Sequence, residues 1–223
     1  MPCAPKSRMR KPATENSLLP PAPPVSSNAT AIDIERLRAA LSPVPSRTQF
    51  SADDGVTDEE LTPASVLFPI VLRQSGPAVL FTQRTEHLRD HPGQISFPGG
   101  RVEAEDTSPA HTALREAQEE IGLAAEHIDI IGYLPEYRTG TGFCVMPVVA
   151  LVRPPFELRP DPAEVADIFE VPLAFLMDFT NHQQHSAHLR GKLRHFFAMP
   201  YGEHFIWGAT AGIIVSLARA LAT

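Results

Sequence analysis

Apolar residues in this chain fall into short extended runs separated by helical stretches. Ser65 to Leu72 and Ala78 to Gln83 predict two strands joined by a turn at Gly76-Pro77. Gln94 to Phe97 predicts a short strand that enters a tight glycine loop at Phe97-Pro98-Gly99-Gly100. Ile128 to Leu134 and Phe143 to Val152 predict further strands, with a Gly140-Thr141-Gly142 loop between them. Asp167 to Val171, Leu193 to Met199 and His204 to Ile206 complete the strands, and Leu173 to Met177 starts a short helix. Ile32 to Leu41 is an amphipathic helix stopped by Pro43 and Pro45. A second helix spans about 109 to 121, and a last one runs from Ala209 to Leu221 with Ile213, Leu217 and Leu221 along its core face. Strands interleaved with helices imply an α/β fold, a mixed sheet covered by helices. There are no internal repeats.

The helix at 109 to 121 carries the chemistry. Ser108 suits its N-cap, Pro109 its first position and Gly122 the position just past its end. Leu114, Ala117 and Ile121 recur at helical spacing and predict its core face. Glu116, Glu119 and Glu120 stand at i, i+3 and i+4, so their side chains are neighbours. Like charges at that spacing cost a few tenths of a kcal/mol per pair, and only Arg115, four before Glu119, compensates locally. An acidic, solvated helix face is the plain alternative. The glycines just upstream favour a site instead, because adjacent glycines let backbone approach a ligand. Oxygen-rich clusters suit Mg²⁺ or Mn²⁺, and Mg²⁺ leaves coordination positions for water and substrate phosphates.

Composition narrows the partners. The 223 residues, less a tail, suit one domain with an ample core. A net charge of -7 argues against general nucleic-acid binding. The two cysteines, Cys3 and Cys144, suggest no disulfide framework, which fits a reducing cytoplasm. No apolar run reaches the ~18 residues needed to cross a bilayer, so no membrane partner is expected. Residues 1–28, rich in Pro, Ser and Ala, read as a disordered tail ahead of a single domain at 29–223. The basic N-terminus lacks the apolar core of a secretory signal; an organelle presequence is the alternative. A homodimer is left open.

Arg115 to Leu123 resembles the Nudix hydrolase signature: Gly, five residues, Glu, seven residues, then Arg-Glu-aliphatic-x-Glu-Glu-x-Gly-aliphatic. The early acid here is Asp106, not Glu, and one extra residue precedes Arg115; Ala117 is small for its aliphatic position. The Arg-Glu-x-x-Glu-Glu core is intact. Upstream, Leu80-Phe81-Thr82-Gln83-Arg84, Arg89, Gly93 and Phe97-Pro98-Gly99-Gly100 resemble the motif of coenzyme A pyrophosphatases, with Phe81 and Thr85 as departures. Thr141 to Pro147, Pro162 to Val165 and Ile206 to Thr210 are also similar, so the resemblance covers about residues 64 to 221.

The resemblance implies a Nudix-type α/β/α sandwich and hydrolysis of a diphosphate, with CoA or acyl-CoA cut to adenosine 3',5'-bisphosphate and a 4'-phosphopantetheine. It implies Mg²⁺ or Mn²⁺ held by Glu116, Glu120, Glu119 and the Gly99 carbonyl, with Glu119 or Glu116 taking the proton of the attacking water. Arg115 would orient Glu119 or meet a phosphate. Arg84, Arg89 and Gly100 would contact the substrate, since the arginine fork suits phosphate. An ion pair of either arginine with Glu86 or Asp90 is the bland reading. Glu164 is a further candidate carboxylate. His182, His185 and His188 read as a polar loop or hairpin, not a zinc site, and Trp207 as core in preference to an adenine platform. Other nucleoside diphosphate derivatives are the rival substrates, and a non-catalytic Nudix-like binding domain the rival class.

Overall fold

The structure, a computed structural model, describes residues 33–46, 50–52, 61–88, 90–189 and 192–223. The expected tail at 1–28, Cys3 and Arg89 lie outside the described residues. The chain order is α1 (Ile34–Ala40), β1 (Phe50–Ala52), β2 (Thr62–Arg73), β3 (Gly76–Arg84), β4 (Ile95–Ser96), β5 (Gly99–Arg101), α2 (Pro109–Ile121), β6 (Ile128–Tyr133), β7 (Glu136–Arg138), β8 (Phe143–Val152), β9 (Val165–Pro172), α3 (Leu173–Met177), β10 (Gln183–Leu189), β11 (Lys192–Tyr201), β12 (His204–Trp207) and α4 (Ala209–Ala222).

The main sheet is mixed. Its spine runs β1-β7-β8-β2-β3-β4, with β5 on β2, β6 on β8 and β9 on β3. β2 lies parallel to β8, and β3 antiparallel to β2. Period-two alternation splits the side chains between two cores. Phe68, Ile70, Val79, Phe81, Val149 and Leu151 face α1, α3 and α4. Leu67, Val71, Leu80, Val148, Ala150 and Val152 face α2. Helices therefore cover both faces, and the expected α/β/α sandwich is the architecture found.

One irregularity makes the site possible. β2 pairs with β3 only over Ile70 to Arg73, and β3 then diverges. The segment 95–101 fills the splay: Ile95 and Ser96 pair with β3, and Gly99 to Arg101 pair with β2. Phe97 makes the crossing, buried with its ring 4.6 Å from Phe68 and 5.1 Å from Phe81. Leu67 N–H donates to the Pro98 carbonyl at 2.9 Å across the splay. By the same alternation the Pro69 nitrogen faces this gap, which is why a proline is tolerated inside a central strand.

Several sequence expectations need correction. The expected glycine loop is half strand, because Gly99 and Gly100 join the sheet as β5. The β2–β3 turn is Gln74-Ser75, and Gly76-Pro77 already belong to β3. The core face of α2 is Ala113, Ala117 and Ile121, while Leu114 is only half-buried. Small residues let the helix lie close on the sheet. Trp207 joins neither core cluster; it is half-exposed, edge-on to Phe196 at 5.4 Å. Its strand turns it to the face of β10–β12 opposite Ile206, and it is Ile206 that is buried.

Candidate active site

α2 forms where the sequence places it. Ser108 Oγ accepts from the His111 N–H at 3.1 Å, Pro109 opens the helix, and Gly122 closes it in the left-handed region at φ 68°. With Ala113 and Ala117 against the sheet, Glu116 and Glu120 flank that contact and point along β5. Glu119 turns outward. The side-chain exposures are 16% for Glu116, 7% for Glu120 and 58% for Glu119, so the three carboxylates are not equivalent.

Glu120 accepts a hydrogen bond from Gly99 N–H at 3.3 Å. Burial, then the neighbouring Glu116 carboxylate, push its pKa up to about 8; Arg84 and the Gly99 N–H oppose this, and Glu164 adds to it. Glu116 is also raised, chiefly by burial, with Arg115 pulling the other way. Both glycines of β5 are needed. A Cβ on Gly99, at φ 158°, would lie 2.6 Å from Val66 Cα. A Cβ on Gly100 would collide with the Glu116 carboxylate. Bare backbone thus stands directly against the acids.

Arg115 organises the face. Its Nε and Nη2 fork onto Asp106 at 3.2 and 2.9 Å, and Nη2 also donates to the Arg101 carbonyl at 3.1 Å. Nη1 donates to Glu116 and Glu119, each at 3.0 Å. The sequence reading had Arg115 next to Glu119 but missed the work of Asp106. That carboxylate is 1% exposed and also accepts from Glu103 N–H and Thr112 Oγ1, both at 2.9 Å. The Arg115 fork holds it well below the usual carboxylate range, and Asp106 raises Arg115 in turn. The shorter acid, one residue farther from Arg115 than in the signature, still reaches the guanidinium with both oxygens. The signal was present as an acid at variant spacing from Arg115; its geometry was not.

Arg84 ends β3 and reaches the same cluster. Its Nη1 stands 4.0 Å from Glu120 Oε1 and 3.9 Å from Glu164 Oε2. The structure places it there, and not on Glu86 or Asp90. Glu116, Glu119, Glu120, Arg115, Arg84, Gly99 and Gly100 are therefore brought together, with Glu164 beside them. Of the histidines expected as a polar loop or hairpin, His185 and His188 lie on β10, paired with β11, and His182 just precedes that strand. Two open depressions, of about 530 Å³ beside Gly122 and Arg159 and about 580 Å³ along β9, contain none of the clustered carboxylates.

The donor set fits a hard dication: carboxylate oxygens, two of them resisting ionisation, beside exposed backbone. Among the described residues no three His, Cys, Asp or Glu side chains converge into a finished cage. An ion that keeps water and phosphate ligands does not require one. No helix among the described residues is long and apolar enough to cross a membrane.

Comparison with known proteins gives the family. Residues 61–191 match the NUDIX domain. This chain belongs to the Nudix hydrolase family. Among its Nudix relatives is a protein of Escherichia coli K12 named as an uncharacterized Nudix hydrolase, NudL. It is 41% identical over 155 residues, covering 70% of this chain and 80% of that one. The NudL of Cronobacter sakazakii is 43% identical over the same coverage. Among solved structures, the NUDIX domain of Shewanella oneidensis NrtR, complexed with ADP ribose, is similar at 18% identity and TM-score 0.46, covering 76% of this chain and 95% of that one. Nudix hydrolases generally use divalent ions such as Mg²⁺ or Mn²⁺.

Proposed function

We propose that this Nudix hydrolase cleaves the diphosphate of coenzyme A or an acyl-CoA, giving adenosine 3',5'-bisphosphate and a 4'-phosphopantetheine. One observation carries the diphosphatase part. A buried carboxylate, Glu120, is set against a second, Glu116, on bare glycine backbone, with an arginine 4.0 Å away. Glu116, Glu120 and Glu119, with the Gly99 carbonyl, hold the cation. The chemistry a bound Mg²⁺ or Mn²⁺ contributes is charge neutralisation across the diphosphate and a more acidic attacking water. Arg115 fixes Glu116 and Glu119 through Nη1, and one of those two carboxylates accepts the water's proton. Arg84 and Arg89 bind phosphate oxygens, and the lack of a side chain at Gly100 lets the substrate approach.

The CoA part rests on the upstream motif. The structure gives that motif a physical sense: β3 delivers Arg84, Phe97 anchors the crossing, and Gly99-Gly100 form the strand under the acids. The test is incubation with CoA and Mg²⁺ in ¹⁸O-water, with products identified by mass spectrometry. ADP-ribose, NADH, diadenosine polyphosphates and 8-oxo-dGTP serve as competitors. Preference by an order of magnitude for any of them rejects CoA while leaving the diphosphatase reading standing.

A further inference from the structure

Arg84 faces two carboxylates at nearly equal distance and is committed to neither. Its Nη1 lies 3.9 Å from Glu164 and 4.0 Å from Glu120, and among the described residues its guanidinium donates no hydrogen bond. Glu164, by contrast, is fixed with care for a residue whose side chain is 49% exposed. The segment carrying it is tied to α2 where Arg159 N–H donates to the Ile121 carbonyl at 2.8 Å and Asp161 N–H to the Glu120 carbonyl at 2.9 Å. Asp161 then builds the turn. Its carbonyl accepts from Glu164 and Val165, and its Oδ1 accepts from Ala163 N–H at 2.8 Å. The far end is tied to β3, where Thr85 N–H donates to the Glu164 carbonyl at 2.9 Å and Thr85 Oγ1 to the Ala163 carbonyl at 3.3 Å.

The β3–β9 register shifts between Gln83, paired with Asp167, and Arg84, paired with Val165. That bulge sets Arg84 next to Glu164. The turn and the bulge together place one acid relative to both Glu120 and Arg84.

We propose that Glu164 is a positioning residue. It shares the Arg84 guanidinium with Glu120 and so keeps Arg84 from closing on Glu120, leaving Glu120 for a dication and Arg84 for a phosphate oxygen. Without Glu164, Glu120 is the carboxylate within reach, and arginine pairs carboxylates bidentately when nothing competes. This rests on the dication reading given above.

The test is a double-mutant cycle on the full chain, read by Mn²⁺ affinity from electron paramagnetic resonance and by steady-state kinetics. Glu164→Gln is expected to weaken Mn²⁺ binding about two- to fivefold, the scale of a part-exposed ion pair. KM should rise more than kcat falls. In an Arg84→Gln background the Glu164→Gln effect on Mn²⁺ should vanish. An equal weakening in that background overturns the proposal and makes Glu164 a ligand or a bare charge. Unchanged Mn²⁺ affinity and KM with a lower Tm also overturns it and makes Glu164 part of the scaffold only. Glu120→Gln separates the two readings: if it leaves Mn²⁺ binding intact, the dication site itself is wrong.

Discussion

Glu120 is a carboxylate that folding places where ionisation is unfavourable. Its pKa, pushed to about 8, lies above the ordinary value of 4.5. Its contribution to stability is therefore complete below the ordinary value and is lost as pH rises toward 8. Glu120→Gln removes that conflict. In metal-free protein at pH 8 the variant should melt higher than wild type by a few degrees, with the difference closing toward pH 4.5, as differential scanning calorimetry would show. Its turnover should fall by orders of magnitude, a trade of function against stability seen at strained sites. Asp106 has the opposite sign. Its pKa is depressed by Arg115, so its stabilisation is present at neutral pH and is lost as pH falls below the usual carboxylate range. Asp106→Asn leaves donors of Arg115, Thr112 and Glu103 short of an acceptor, and should cost about 1–3 kcal/mol. A urea midpoint unchanged from wild type would contradict that reading.

At the scale of elements, β5 makes a sharper contrast. Gly99→Ala forces a side chain against Val66 and Ser65 backbone from a positive φ, so it should lower Tm substantially. In Gly100→Ala the nearest atoms to the new methyl are the end of the Glu116 side chain, which can move aside. It should fold nearly as wild type and lose Mn²⁺ affinity. Equal thermal losses in both variants would mean that Gly100 serves the sheet and not the site. α2 was legible in the sequence because its caps and its carboxylate spacing are local signals. β7 was not, since three residues hold too little periodicity to register, and β1 was missed for the same reason. The three acids looked alike on one helix face; only the sheet decides that Glu120 is buried and Glu119 is not. Arg84 was legible as an anion contact, but its partners come from elements far along the chain, and no spacing rule links residue 84 to residue 164.

For the molecule as a whole, a mixed sheet covered by helices followed from interleaved strands and capped helices, and the α/β/α sandwich from the Nudix resemblance. The splay between β2 and β3 did not, because it depends on where pairing stops. The site belongs to that tertiary feature, and binding there should be felt globally. Mg²⁺ at a hundred times its Kd should add about 2.7 kcal/mol of stability, roughly 5–10 °C in Tm for a chain of this size. Below pH 8 the same binding must expel the proton that Glu120 prefers to keep, so affinity should climb with pH up to about 8. Calorimetric titrations in buffers of differing ionisation enthalpy should register that proton, and Glu120→Gln should abolish it.

The most direct measurement is anomalous diffraction from crystals grown with Mn²⁺. A single strong peak is predicted within coordination distance of Glu116 and Glu120 carboxylate oxygens and the Gly99 carbonyl, beside Arg84. A peak elsewhere, or none at that position in crystals that still turn over substrate, would contradict the account.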